Sequence, residues 1–209
     1  MLPTASRSRR YRTGWPGPRL ILIAMALWLL QGCAAVTLQP PPAPDDPVTV
    51  AVLDHGRHAS LVLPAATPNT WMRYSYGDWN YYVERRTNLS VGLAGLITPT
   101  RAGLGRQILG GADLPAAIRD QLRVPLEASH LLIVSGARAT ALREELEAIW
   151  LDGHDDRQVT AEWGMAFVEH PEAYTLRNNS NRMVARWLTR LDVEVSRAPI
   201  LSNWQVESP

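Results

Sequence analysis

The 209-residue sequence has one cysteine, no lysine and no acidic residue in its first 32 positions. A single thiol excludes a disulfide framework and a cysteine-based zinc site. The longest uninterrupted apolar run, Leu20 to Leu30, falls short of the ~20 residues that span a bilayer as a helix. With 46% hydrophobic and 20% charged residues, the composition excludes collagen, a coiled coil, a repeat array and a long disordered tail, and suits one globular domain. The lack of lysine reads as genome composition rather than mechanism. The lack of early acid matters more. Five of the 21 basic residues (Arg7, Arg9, Arg10, Arg12, Arg19) lie in residues 1–32, so the remainder carries 16 basic against 20 acidic residues. The net charge of +1 therefore belongs to a basic leader on a mildly acidic body. A body of that sign has no electrostatic reason to seek nucleic acid.

Arginines followed by a short apolar run and a small residue form the pattern of a secretory signal, expected over residues 1–32. The end of the run, Leu30-Gln31-Gly32-Cys33, resembles the lipobox of bacterial lipoproteins. That resemblance implies that Cys33 is lipidated, becomes the new N-terminus and anchors the chain to a membrane through acyl chains. Ala34 in place of aspartate implies the outer membrane, with the domain facing the periplasm. The proline-rich acidic stretch up to Pro47 reads as an extended tether over residues 33–47. A single domain is then expected over residues 48–209.

Within that domain the sequence reads as α+β: a small antiparallel sheet with packed helices. Val48–Leu53, His58–Leu63, Trp71–Tyr76, His130–Val134 and Phe167–Thr175 have strand character, with 130–134 expected to be buried. Trp79–Val83 fits strand or helix, and residues 86–111 read as helix then loop. Leu114–Leu122, with Pro115 in its first turn, reads as a short helix. Ala137–Leu151 and Asn181–Leu191 show helical apolar periodicity. The tail from Ala198 either docks or adds an edge strand.

Two places can carry chemistry. His55-Gly56-Arg57-His58 opens a strand, and a histidine held there can act as a base; the plainer alternative is that both histidines satisfy turn hydrogen bonds. Asn178-Asn179-Ser180-Asn181 opens an amphipathic helix. A nucleophile at such an end gains from the helix dipole and free N–H groups, while capping alone also accounts for Asn and Ser there. A metal site built from His55 and His58 with His154-Asp155-Asp156 or His170 is disfavoured, because the first pair spans a turn instead of one helix face. No metal and no cofactor is expected.

The order of these two places resembles that of circularly permuted papain-like domains, and His58-Ala59-Ser60-Leu61-Val62-Leu63 resembles the histidine strand of NlpC-type cell-wall peptidases. Three blocks are similar to motifs of a family of bacterial lipoproteins with a domain of unknown function. They are His55–Pro64, then Trp71–Tyr82 with Gly77-Asp78-Trp79, then Tyr174–Leu188. The resemblance implies a nucleophile at position 180 with His58 as its base. A serine there would work with His58 and a third group such as Asp78 or Tyr76, with Asn179 and Asn181 as capping or oxyanion residues and His55 as a neighbour. The family's cysteine is Ser180 here. A hydroxyl is far more basic than a thiol and needs a tightly held base behind it. Two readings follow: a degenerate site serving binding or envelope maintenance, or an active amidase, peptidase or acyltransferase on peptidoglycan or a lipid, using Ser180 and His58. Because Cys33 is the only thiol, Cys33→Ser is expected to leave an unprocessed or released protein. Membrane fractionation checks this, and a cleaved, membrane-bound mutant contradicts it.

Overall fold

A computed structural model describes residues 35–86 and 98–207. The leader, with Cys33 and the lipidation it is expected to carry, lies outside the described residues, as does part of the 86–111 segment. The fold is α+β, but its main sheet is larger than the small one expected. Seven strands run antiparallel: β2 (Pro47–Asp54), β3 (Ala59–Pro64), β4 (Thr70–Asp78), β5 (Thr100–Gly110), β6 (Ala128–Ser135), β7 (Gln158–Thr160) and β8 (Met165–Tyr174). Their order is β6-β2-β3-β4-β5-β8-β7. A second sheet joins β1 (Val36–Gln39), β9 (Glu194–Val195) and β10 (Trp204–Val206), with β1 in the middle.

One face of the large sheet packs on two helices, α3 (Gly136–Asp152) and α4 (Ser180–Arg190). α3 buries Ala139, Leu142, Leu146 and Trp150, and α4 buries Met183, Val184, Trp187 and Leu188, the i, i+3, i+4 stripes of amphipathic helices. Against them lie Val50, Val52, Leu61, Leu63, Tyr74, Tyr76, Leu104 and Val168. The Tyr74 hydroxyl donates to Glu147 Oε1 (2.6 Å), and Arg106 pairs with the other oxygen of Glu147 while stacking over Trp150. These contacts lock α3 to the middle of the sheet.

The other face is covered in two patches. α2 (Leu114–Gln121) closes one with Leu114, Ala117 and Ile118 over Ala51, Leu53, Val62 and Leu109. The second is aromatic: Trp79 and Tyr82 of the one-turn helix α1 (Trp79–Tyr82) gather with Met165 and Phe167, and Trp163 packs at its edge. Glycines make this patch possible. A Cβ on Gly77 would collide with the Tyr82 ring, and one on Gly105 with the Phe167 ring.

That requirement explains the main correction. The end of the 86–111 segment reads as helix then loop because Gly103, Gly105 and Gly110 weaken a strand pattern, yet Thr100–Gly110 is the longest strand. Two further corrections follow. β6 is an edge strand in which Leu131 and Ile133 are exposed while Leu132 and Val134 are buried, so it is not buried on both faces. And the segment expected to be a tether enters the fold: β1 buries Val36 and Leu38 and pairs parallel with the tail strand β10. The fold thus starts near Val36, and the tail does add a strand. No helix among the described residues is long and apolar enough to cross a membrane.

Leu38 is fully buried, so Leu38→Ala should cost about 2–4 kcal/mol of stability, as large-to-small core substitutions do. Urea denaturation of the full-length protein measures it; an unchanged midpoint would mean that this segment is only a linker.

Candidate functional site

The turn between β2 and β3 sets the site. Asp54 Oδ1 accepts from the Gly56 N–H (2.7 Å), and Gly56 takes a positive φ of 83° that suits glycine. The turn leaves His55 and His58 on either side of it. His55 Nδ1 lies 2.8 Å from the Pro125 carbonyl. A carbonyl only accepts, so Nδ1 carries the proton and Nε2 is an acceptor. Nε2 meets Arg73 Nη2 at 3.1 Å and Ser60 Oγ at 3.1 Å. Arg73 also donates from Nε to Ser60 Oγ (3.0 Å) and from Nη1 to Gln107 Oε1 (3.0 Å). Gln107 in turn donates to the Gln121 carbonyl at the end of α2 (3.0 Å).

Sheet register aligns these residues. Val62, Arg73 and Gln107 oppose one another across β3, β4 and β5, and Ser60, Ser75 and Gly105 form the next row. Directly paired residues share a face, so the polar row lies on the face that α2 and the aromatic patch cover. It crosses the gap between those two apolar patches. Arg73 is only 3% exposed. A cavity of about 120 Å³ opens over it, lined by His55, His58, Arg73, Ser75, Tyr82 and Trp163, with Val124, Pro125 and Met165 completing the wall.

The electrostatics follow from burial. Desolvation, then the Arg73 charge, lowers the pKa of His55 from 6.5 to about 4. Desolvation, then Arg57, lowers that of His58. Both imidazoles are neutral at pH 7. Burial pushes the Tyr82 phenol far above its ordinary range, so it carries no charge either. Arg73 is lowered by burial to about 10 and stays a cation. Among the described residues Arg73 forms no ion pair with a carboxylate.

The residues expected to surround Ser180 are distributed differently. Ser180 opens α4 and is 1% exposed. Asn179 is the N-cap: its Oδ1 accepts from the Arg182 N–H (3.0 Å), and its Nδ2 donates to the Ile200 carbonyl (3.1 Å). Asn181 Nδ2 donates to the carbonyls of Arg57 and Ile200, both at 3.0 Å. The start of α4 does therefore abut the histidine turn, through Asn181 and Arg57. The amide N–H₂ of Asn181 is nevertheless consumed, and no donor reaches its buried Oδ1 among the described residues. Ser180 does not line the cavity, and among the described residues no hydrogen bond joins it to His58. The His58 ring instead meets Tyr82 edge-on (centroids 5.7 Å) and Tyr81 at a tilt (6.0 Å).

Asp78 does not orient His58. It caps α1, with Oδ1 accepting from the Tyr81 N–H (2.9 Å) and Oδ2 from the Thr100 hydroxyl. Tyr76 is fully buried; its hydroxyl donates to the Glu172 carbonyl and accepts from Asn178 Nδ2. Its ring packs on His170 and Tyr174, away from the lining of the cavity. Both nitrogens of His55 are taken by Pro125, Arg73 and Ser60, which leaves neither for a metal.

Sequence reasoning missed Arg73, Ser60 and Gln107. The alternation in Trp71–Tyr76 marks Arg73 and Ser75 as one face of a strand, and such a face is ordinarily wet. The available signal was that Ser60 lies on the same face of the neighbouring strand, inside an otherwise apolar run. Comparison of the chain with protein-family models, curated proteins and solved structures found no match.

The His55 environment makes a pH prediction. Between pH 6.5 and about 4 the unfolded chain takes up a proton that folded His55 refuses. Stability is therefore fully present above pH 6.5 and falls as pH drops towards 4, by about 2–3 kcal/mol for this group. His58, His130 and His170 are shifted in the same direction and add to the wild-type slope. His55→Gln should flatten it by His55's share, as read from urea midpoints across that pH range. An unchanged slope contradicts a buried neutral His55.

Proposed function

We propose that this protein is a cell-envelope lipoprotein whose domain binds a ligand in the His55–Arg73 cavity and does not use Ser180 as a nucleophile. The leader supports export. Cys33 supports an acyl anchor in the outer membrane facing the periplasm, where peptidoglycan and lipids are the available partners. The order of the histidine strand and the helix at position 180, and the contact of Asn181 with the Arg57 carbonyl, agree with a permuted papain-like (NlpC-related) ancestry. The chemistry of that ancestry is not supported.

One observation carries the reading. Ser180 is buried in the first turn of α4 and lines no part of the cavity that His58 borders. A serine needs its base in hydrogen-bond contact and an orienter behind the base. Here the base faces two tyrosines, and the expected orienter, Asp78, is committed to capping and Thr100. What remains is a formed cavity with a cation, two neutral imidazoles and aromatic walls, the makings of a small-ligand site.

Ser180→Cys tests this in a background where Cys33→Ser has removed the only other thiol. The new thiol should react with an alkylating probe no faster than an ordinary cysteine, and His58→Ala should not change its rate. A thiol with enhanced reactivity that His58→Ala abolishes would restore the hydrolase or acyltransferase reading.

A further inference from the structure

We infer that the cavity above Arg73 is a binding site for the carboxylate of a short, largely aliphatic acid, with the guanidinium as its anion-recognising group. The inference rests on the binding reading and names the ligand class for that site.

A buried cation is ordinarily paired, because desolvating an unpaired charge is expensive. Arg73, 3% exposed, is held by three neutral acceptors: Ser60 Oγ, Gln107 Oε1 and His55 Nε2. They fix the guanidinium without neutralising it. A guanidinium has five N–H donors; among the described residues these contacts engage three, which leaves two for a further acceptor. The acids around the turn do not supply it. Asp54 accepts from the Gly56 N–H, Glu127 packs at Gly56, and neither lines the cavity. Among the described residues the cavity wall holds no carboxylate. An anion that enters therefore completes the charge pairing that the fold omits.

The walls define which anion. A planar fork matches a carboxylate in two parallel hydrogen bonds. Apart from the polar His55, His58 and Ser75, the lining is Val124, Pro125, Tyr82, Trp163 and Met165, an apolar and aromatic wall that suits a hydrocarbon substituent. The volume of about 120 Å³ is somewhat below the ~150 Å³ apolar cavity that accepts benzene, enough for a carboxylate and a few carbons. Arg73, Tyr82 and Met165 are buried while Pro125 is exposed and Trp163 partly so. The head group thus goes in first and the substituent points out. Such a carboxylate comes either as a free acid or as the end of a peptide whose remainder stays in solvent.

Isothermal titration of the full-length protein in detergent with butyrate, butyramide and N-acetyl-alanyl-alanine tests this. Butyrate should bind at least tenfold more tightly than the neutral amide of the same shape. The peptide binding more tightly than butyrate identifies a peptide end as the source; the reverse identifies a free acid. Arg73→Met should abolish the preference for butyrate over butyramide. Should that variant fail to fold, Val124→Trp fills the cavity from its rim without touching the hydrogen-bonded row, and should weaken butyrate at least tenfold. Equal affinity for butyrate and butyramide, no binding of either carboxylate, or undiminished butyrate binding in Val124→Trp would each overturn the proposal. Those outcomes leave the inert-Ser180 reading intact, because that reading fails only if Ser180→Cys is activated by His58.

Discussion

The structure on the covered face of the main sheet depends on one buried guanidinium. Arg73 sits on the central strand β4, and its three hydrogen bonds run to β3, to β5 and to the β2–β3 turn. Those bonds cross the gap between the α2 patch and the aromatic patch. Truncating the side chain would leave Ser60, Gln107 and His55 with unmet hydrogen bonds, each costing ~1–3 kcal/mol. The cluster also fixes a tautomer. Pro125 claims the His55 Nδ1 proton, so Nε2 can accept, and a second proton on the ring would face the Arg73 charge. Strand register, turn geometry and protonation state are therefore one constraint.

The same logic separates the two ends of the expected catalytic pair. A helix start beside a histidine turn is a promising place for a nucleophile only if its polar groups are left over for substrate. At the start of α4 they are not: Asn179 caps the helix and ties down the Ile200 carbonyl, while Asn181 bridges the carbonyls of Arg57 and Ile200. These amides tie three chain segments together through their N–H₂ groups, a structural use that leaves no side-chain N–H of either asparagine for an oxyanion. A thiol at position 180 would gain from the helix dipole and a nearby imidazole even at some distance. A hydroxyl gains little without direct contact, which is why the identity of one atom separates the two readings.

Much of the fold was legible. The strands β2 to β4 and the helices α2 to α4 follow from periodicity and turn residues, and the observed bounds shift by only a residue or two. What failed did so for identifiable reasons. Gly103 and Gly105 look like strand breakers, but they are the floor on which Phe167 lies, and the partner that makes them necessary sits more than 60 residues away in the chain. Val36-Thr37-Leu38-Gln39 was hidden by the prolines after it; its strand depends on β10, at the far end of the chain. Of the candidate site, His55 and His58 were legible because a turn flanked by strands holds both. Arg73 was not, since alternation tells which residues share a face and not whether that face is later covered.

Covering that face changes what the arginine can do. On an open sheet Arg73 would be a hydrated, mobile charge with little preference among anions. Beneath Tyr82, Trp163 and Met165 it is desolvated and already oriented, so a ligand would lose little further side-chain freedom on meeting it. The surrounding acceptors are neutral at pH 7, because burial and the guanidinium itself keep His55 unprotonated. They hold the cation without quenching its field. In a low-dielectric pocket that field discriminates strongly between a carboxylate and its neutral amide, whereas the aromatic and aliphatic walls select only by size. Charge recognition thus comes from the sheet and shape recognition from the segments laid over it, so substitutions in the overlying segments can change ligand preference while leaving the buried row in place.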